Sequence, residues 1–133
     1  MKEFHLEVLT PDGLEYEGMV ESLLVHAVDG DVEFLAGHVD YITTLDIGRA
    51  RIKVAGKDRL AAVSGGFVMV TSNEVKLVAT TFEFAEDIDI ERARSAQTKA
   101  KDILSSSKDS KEIEVARLKL QRAISRIHVA ELK

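Results

Sequence analysis

The feature that most constrains this chain is a change of hydrophobic period near residue 86. Upstream of it, apolar residues alternate with polar ones, as Phe4, Leu6 and Val8 do around His5 and Glu7, which is the pattern of a half-buried strand. All eight glycines and the single proline, Pro11, lie before residue 67. Downstream, Ala, Arg, Lys and Ile recur at helical spacing. A chain with this break folds as a β unit followed by a helical one, which is an α+β protein. The boundary falls between residues 1–85 and 86–133.

Within the first part, Pro11-Asp12-Gly13 is a turn, because Pro presets φ and Gly accepts a positive one. β-prone stretches follow at Val20–Val28, Val32–Leu35, Tyr41–Leu45, Ala50–Val54, Leu60–Val63, Gly66–Thr71 and Glu74–Ala79. Gly- and Asp-bearing turns separate them, so an antiparallel sandwich or barrel is expected. Ser64-Gly65-Gly66 fits neither GxSxG nor GxxxxGK[ST] and reads as a bulge or tight turn.

In the second part Asp87 is the expected N-cap, with Asp89 and Glu91 in the first turn, where the helix dipole favours acids. Ile90, Ala93, Ala96 or Gln97, Ala100 and Leu104 mark one face of a first helix. The stretch Ser105–Ser110 breaks it, and Asp109 with Glu112 resembles a capping box. Ile113, Ala116, Leu120, Ala123, Ile127 and Ala130 then mark a second helix, closing an antiparallel hairpin. Its seam is mostly alanine. A buried methyl-sized group contributes roughly 0.8 kcal/mol, whereas ordering a residue costs about 1–2 kcal/mol. Such a hairpin is not self-supporting and must dock on something. A ligand at a hundred times its Kd adds about 2.7 kcal/mol, enough to choose between two nearly balanced arrangements.

Charge separates the same two parts. Residues 1–85 carry seven basic and fourteen acidic residues, and residues 86–133 carry eleven and nine. The overall net charge of −5 argues against non-specific nucleic-acid binding. No apolar run reaches membrane-spanning length, so no direct membrane insertion is expected. The absence of Cys excludes a disulfide framework and a thiolate metal site. His5, His26, His38 and His128 are scattered, without metal-ligand spacing or neighbouring carboxylates, so no catalytic residue and no metal ligand is assigned. Lys119, Arg122 and Arg126 share one face of the second helix, opposite much of the Ala/Ile seam. That face is either solvated or suited to phosphate and carboxylate, since guanidinium forks match both.

Five strings then point to a family: VLTPDG (8–13), GDVEFLAGH (30–38), AVSGGFVMV (62–70), AEDIDIERA (85–93) and RAISRIHVAEL (122–132). In order, spacing and total length the chain resembles the epsilon subunit of bacterial F-type ATP synthases, of the Bacillus-like, ATP-binding type. The resemblance implies a ten-stranded antiparallel β-sandwich bound to the gamma subunit and resting on the c ring. It implies a C-terminal hairpin that leaves ATP hydrolysis free when compact and blocks it when extended into the catalytic alpha/beta subunits. The subunit would be non-catalytic by itself, in a proton- or sodium-translocating machine, and peripheral on the cytoplasmic face of the cell membrane. No cofactor would be required, with ATP as a non-hydrolysed ligand that locks the hairpin down.

The implied ATP-binding residues are Ile88, Asp89, Arg92 and Ala93 of the I/L-D-x-x-R-A motif, with Glu83, Arg122 and Arg126. Lys99 stands where some nucleotide-binding relatives carry Arg. Asp89 and Arg92 could pair and present polar groups to the nucleotide. Asp31 and His38 are the implied gamma and c-ring contacts. Arg117, Lys119, Arg122 and Arg126 are the implied contacts to the catalytic beta subunit. Against the usual GELGILPGHxPL segment, Asp31, Glu33, Ala36 and Asp40 replace Glu, Gly and both prolines, so that loop is less preorganised.

Overall fold

A computed structural model describes residues 2–132. It contains nine strands, a 3-10 turn and two helices, with bounds β1 Phe4–Thr10, β2 Gly13–Val20, β3 Ser22–Ala27, β4 Gly30–Leu35, β5 Tyr41–Val54, β6 Lys57–Ser64, β7 Phe67–Thr71, β8 Glu74–Val78 and β9 Thr81–Phe84. The turn spans Ala85–Asp87, and the helices are α1 Ile90–Ser106 and α2 Ser110–Leu132.

The strands form two layers that share β5. One layer runs β2-β1-β8-β7-β5 and the other β4-β3-β5-β6-β9. Tyr41–Thr44 of β5 pairs with β7, whereas Gly48–Val54 pairs with β6 and β3. The expected separate strands at 41–45 and 50–54 are therefore one strand of 14 residues that crosses from layer to layer. This corrects the expected strand count from ten to nine, because the two five-stranded layers hold one strand in common. The expectation of a wholly antiparallel sheet is corrected too, since β1 and β8 pair in parallel.

Two strands escape the period-2 reading for identifiable reasons. In β2, Leu14 and Tyr16 alternate with Glu15 and Glu17 but Gly18 ends the alternation, and the strand lies at a layer edge with most of its residues exposed. The other, β9, is only four residues long. Between the layers lie Phe4, Leu6, Val8, Leu23, Val25, Phe34, Ile52, Val68, Leu77 and Phe84 among other buried apolar groups. Large side chains in a dry, close-packed interior make this core the main source of stability.

Gly65 and Gly66 carry the chain from β6 in one layer to β7 in the other, with φ of 67° and 94°. A Cβ on Gly66 would lie 1.9 Å from the Val78 carbonyl oxygen, so no other residue fits without moving backbone. The tight-turn reading of Ser64-Gly65-Gly66 holds. Gly66→Ala is expected to cost at least about 3 kcal/mol through this clash and the positive φ, measured as a fall in the urea midpoint of the whole chain.

Candidate functional site

Along the outer face of the β4-β3-β5-β6-β9 layer, register places Asp31 beside His26 and Ala62 beside both Arg49 and Glu83. The middle of this face is made of small residues, Gly48 and Ala62. Consecutive Ala61 and Ala62 are both buried, which means β6 is covered on both faces. The outer cover is α2. Val129 and Ala130 pack with Ala62, Ala85 and Ile88 in a cluster separate from the sandwich core. The Ser125 hydroxyl donates to the Gly48 carbonyl at 3.3 Å. The hairpin is therefore docked on the sandwich through α2.

Its own seam is as thin as the sequence implies. Ala93 and Ala100 of α1 are buried, as are Ala116, Ala123 and Ala130 of α2. The expected N-cap is corrected: Asp89 caps α1, its carboxylate accepting from the Arg92 backbone N–H at 3.1 Å, while Asp87 belongs to the 3-10 turn. A short-range pattern of three acids, Asp87, Asp89 and Glu91, allows either cap, and the intervening turn decides it. Asp109 caps α2, its Oδ1 accepting from Lys111 N at 2.9 Å and Glu112 N at 3.4 Å.

The residues singled out in the sequence fall into groups. Glu83, Arg122 and Arg126 meet at a crevice beneath α2, completed by Ile47, Ala62, Val63, Ser64, Thr81 and Ser125. Arg126 Nε lies 3.5 Å from Glu83 Oε1. Arg122 Nε is buried and has no hydrogen-bond partner among the described residues, which leaves one desolvated N–H on a side chain that lines the crevice. Arg122 and Arg126 are half-buried against the sandwich, whereas Lys119 and Arg117 are exposed, so the basic residues do not form one common solvated face.

Ile88 and Ala93 are buried and hold packing positions. Asp89, Arg92 and Lys99 are exposed, and among the described residues none forms an ion pair. The expected pairing of the Asp89 and Arg92 side chains gives way to the cap, because an N-cap carboxylate is aimed at the helix's own free N–H groups.

Asp31 and His38 lie at different places. Asp31 Oδ1 accepts from His26 Nδ1 at 2.9 Å, with Arg49 Nη2 4.0 Å from Oδ2, and Asp31 lines a cleft of about 690 Å³ on the other flank of α2. His38, beyond β4, packs edge-on against Phe34, with its Nδ1 2.8 Å from the Val39 carbonyl. Near it Val39 and Ile42 are 74 % and 64 % exposed, a pair of apolar side chains offered to solvent. Two histidines also correct the reading that they lack carboxylate neighbours: His26 has Asp31, and His5 has Glu17 at 3.1 Å and Glu74 at 3.5 Å. These contacts cross between strands or a turn, so linear spacing does not reveal them.

Sequence reasoning missed the seat itself. Gly48 and Ala62 are what admit α2, and Ser125 of α2 bonds to the first of them. The available signal was the run Leu60–Val63, whose Ala-Ala pair breaks the alternation of a one-sided strand. Ala62→Leu is expected to lift α2 off the sheet by overpacking, at a cost of about 1–3 kcal/mol. Limited proteolysis should then cut within residues 86–132 faster than in the parent, with the sandwich fragment surviving.

Comparison with known proteins follows the same division. Residues 3–85 match the family described as "ATP synthase, Delta/Epsilon chain, beta-sandwich domain", and residues 86–131 match "ATP synthase, Delta/Epsilon chain, long alpha-helix domain". An ATP synthase epsilon chain of Bacillus velezensis is 42 % identical over 130 residues, covering 98 % of both chains. One from Caldicellulosiruptor saccharolyticus is 38 % identical, covering 98 % of this chain and 96 % of its own. Among solved structures, a chain of the Euglena gracilis mitochondrial ATP synthase (OSCP/F1/c-ring) superposes with a TM-score of 0.83 at 22 % identity, covering 98 % of this chain and 82 % of that one. That last likeness speaks to the fold.

Proposed function

This chain belongs to the ATP synthase delta/epsilon family, as an epsilon chain of the bacterial F-type enzyme, and from that premise we propose that its hairpin is a brake on ATP hydrolysis. As a central-stalk subunit it would join the gamma subunit and the c ring to the catalytic alpha/beta head, and the exposed Val39 and Ile42 beside His38 suit such a contact. Among the described residues no helix is long and apolar enough to cross a membrane, so attachment would be through partner subunits.

The observation that carries the reading is the thinness of the α2 seat. Three of its five buried members are alanine. Alanine contributes roughly 0.8 kcal/mol on burial, against about 1.5–3 kcal/mol for each large apolar side chain of the sandwich core. A unit seated so weakly can leave while the sandwich stays folded. On leaving, Arg122 and Arg126 exchange Glu83 and the crevice for solvent or for a partner. With Arg117 and Lys119 they then offer four cations to an acidic surface such as that of the catalytic beta subunit.

Regulation by ATP is the finer part of the proposal. The orphaned Arg122 Nε and the adjacent Arg126 suit a phosphate, because charge-assisted N–H donors in a desolvated setting are strong anion ligands. The crevice holds only about 10 Å³, room for about one water. A nucleotide would therefore lie over its mouth, toward Asp89 and Arg92 at the start of α1, and draw Arg126 from Glu83. Lys99 would contribute a point charge in place of a bidentate fork. ATP bound across both helices would favour the docked state by mass action.

Two tests separate these parts. Deleting residues 88–133 from the assembled complex is expected to raise ATP hydrolysis severalfold with synthesis retained, and unchanged hydrolysis would remove the brake from the account. Calorimetric titration of the full chain with ATP is expected to show Arg126→Ala and Arg122→Ala weakened about tenfold or more. Equal binding by parent and variants would place any nucleotide elsewhere.

A further inference from the structure

Arg59, on β6, grips two residues on either side of the point where the chain leaves the sheet. Its guanidinium carbon lies 3.6 Å from the centroid of the Phe84 ring. Its Nε donates to Glu86 Oε1 at 2.6 Å. Phe84 is the last residue of β9, and Glu86 is the middle residue of the 3-10 turn. One side chain of the sandwich thus spans the joint between sheet and hairpin.

The ring it covers is itself fixed. Phe84 meets Phe82 edge-on at 5.0 Å and Tyr16 at 6.0 Å, and is 7 % exposed. The turn, by contrast, is short. It is three residues long, Phe84 supplies no side-chain cap, and the closing Ile88 N–H reaches the Ala85 carbonyl at 3.3 Å. Yet this turn forms part of the α2 seat, because Ala85 and the following Ile88 pack with Val129 and Ala130.

We propose that Arg59 is a positioning residue for the hairpin: by clamping Glu86 over Phe84 it presents Ala85 and Ile88 to α2 and sets the docked fraction. Its charge pair contributes little directly, since Arg59 and Glu86 side chains are 45 % and 46 % exposed and solvent screens them. What the clamp supplies is order. A turn held in place before α2 arrives spares the docking step the entropy of fixing it. The planar guanidinium suits the task, because it stacks on a ring face and donates sideways at once. The inference goes beyond the brake, since it concerns docking itself and holds whether or not a nucleotide binds.

The chain has no native Cys, so spin labels on Asp12→Cys and Lys108→Cys can report the sandwich-to-hairpin distance in the full chain. Measured by electron–electron resonance without nucleotide or partner subunits, Arg59→Ala is expected to lower the docked-to-undocked ratio about fivefold. Arg59→Lys, which keeps a cation over the ring, should recover part of it, and Glu86→Gln should fall between. Hydrogen exchange of β1 and β8 amides in the same variants should stay unchanged. An Arg59→Ala distance distribution equal to the parent's overturns the proposal. So does faster exchange in β1 and β8 that matches the change in docking, because Arg59 would then only stabilise the sandwich. Since neither ATP nor the assembled complex takes part, this result stands apart from any failure of the hydrolysis brake.

Discussion

The structure depends on how one helix meets one sheet face. The α2 helix rests on the outer side of β5 and β6, where Gly48 and Ala62 leave room, and it contributes Val129, Ala130 and Ser125 in return. The contact is close because its members are small, and weak for the same reason. Apolar burial scales with area, so a seat made largely of methyl groups cannot match the phenylalanine, leucine and valine packing between the layers. One chain thus holds two units of unequal stability. That inequality is what the proposed movable hairpin requires.

Electrostatics adds direction to this weak seat. Arg122 and Arg126 are drawn under α2 toward Glu83, and Arg122 Nε is left without a partner among the described residues. A half-buried guanidinium with one buried, unpartnered N–H raises the cost of the docked state, and a bound anion would reduce that cost. Under the proposed switch, the same pair of arginines would stabilise either arrangement, depending on what is supplied. On the other flank, Asp31, His26 and Arg49 form a second polar edge beside the helix. Gly48 belongs to this edge as well, since a Cβ there would meet the His26 Cβ at 2.7 Å.

Much of this was legible in the sequence, and the illegible parts share a cause. The two-part division, the alanine seam and the Ser64–Gly66 turn follow from local periodicity and turn chemistry, which short windows carry. The continuity of β5 was hidden, because the apolar pattern pauses at Asp46–Arg49 where the strand passes between layers. In the edge strand β2 the alternation is short, ending at Gly18, and β9 has only four residues, so neither carries a sustained pattern. The α1 cap was misplaced by two residues among closely spaced acids. Contacts such as Arg126 with Glu83, or Arg59 with Phe84 and Glu86, join residues 25 or more apart along the chain. No spacing rule specifies those pairs. Family resemblance named Glu83, Arg122 and Arg126, and nothing in the sequence singled out Arg59 or Gly48.

The claim beneath all of this is that hairpin and sandwich open separately. Native-state hydrogen exchange of the full chain, read amide by amide, measures it most directly. The account predicts that amides of α1 and α2 exchange through an opening at least about 2 kcal/mol easier than that of β1, β8 and the inner strands. Helix and strand amides exchanging at one common free energy would show a single cooperative unit, and would contradict it.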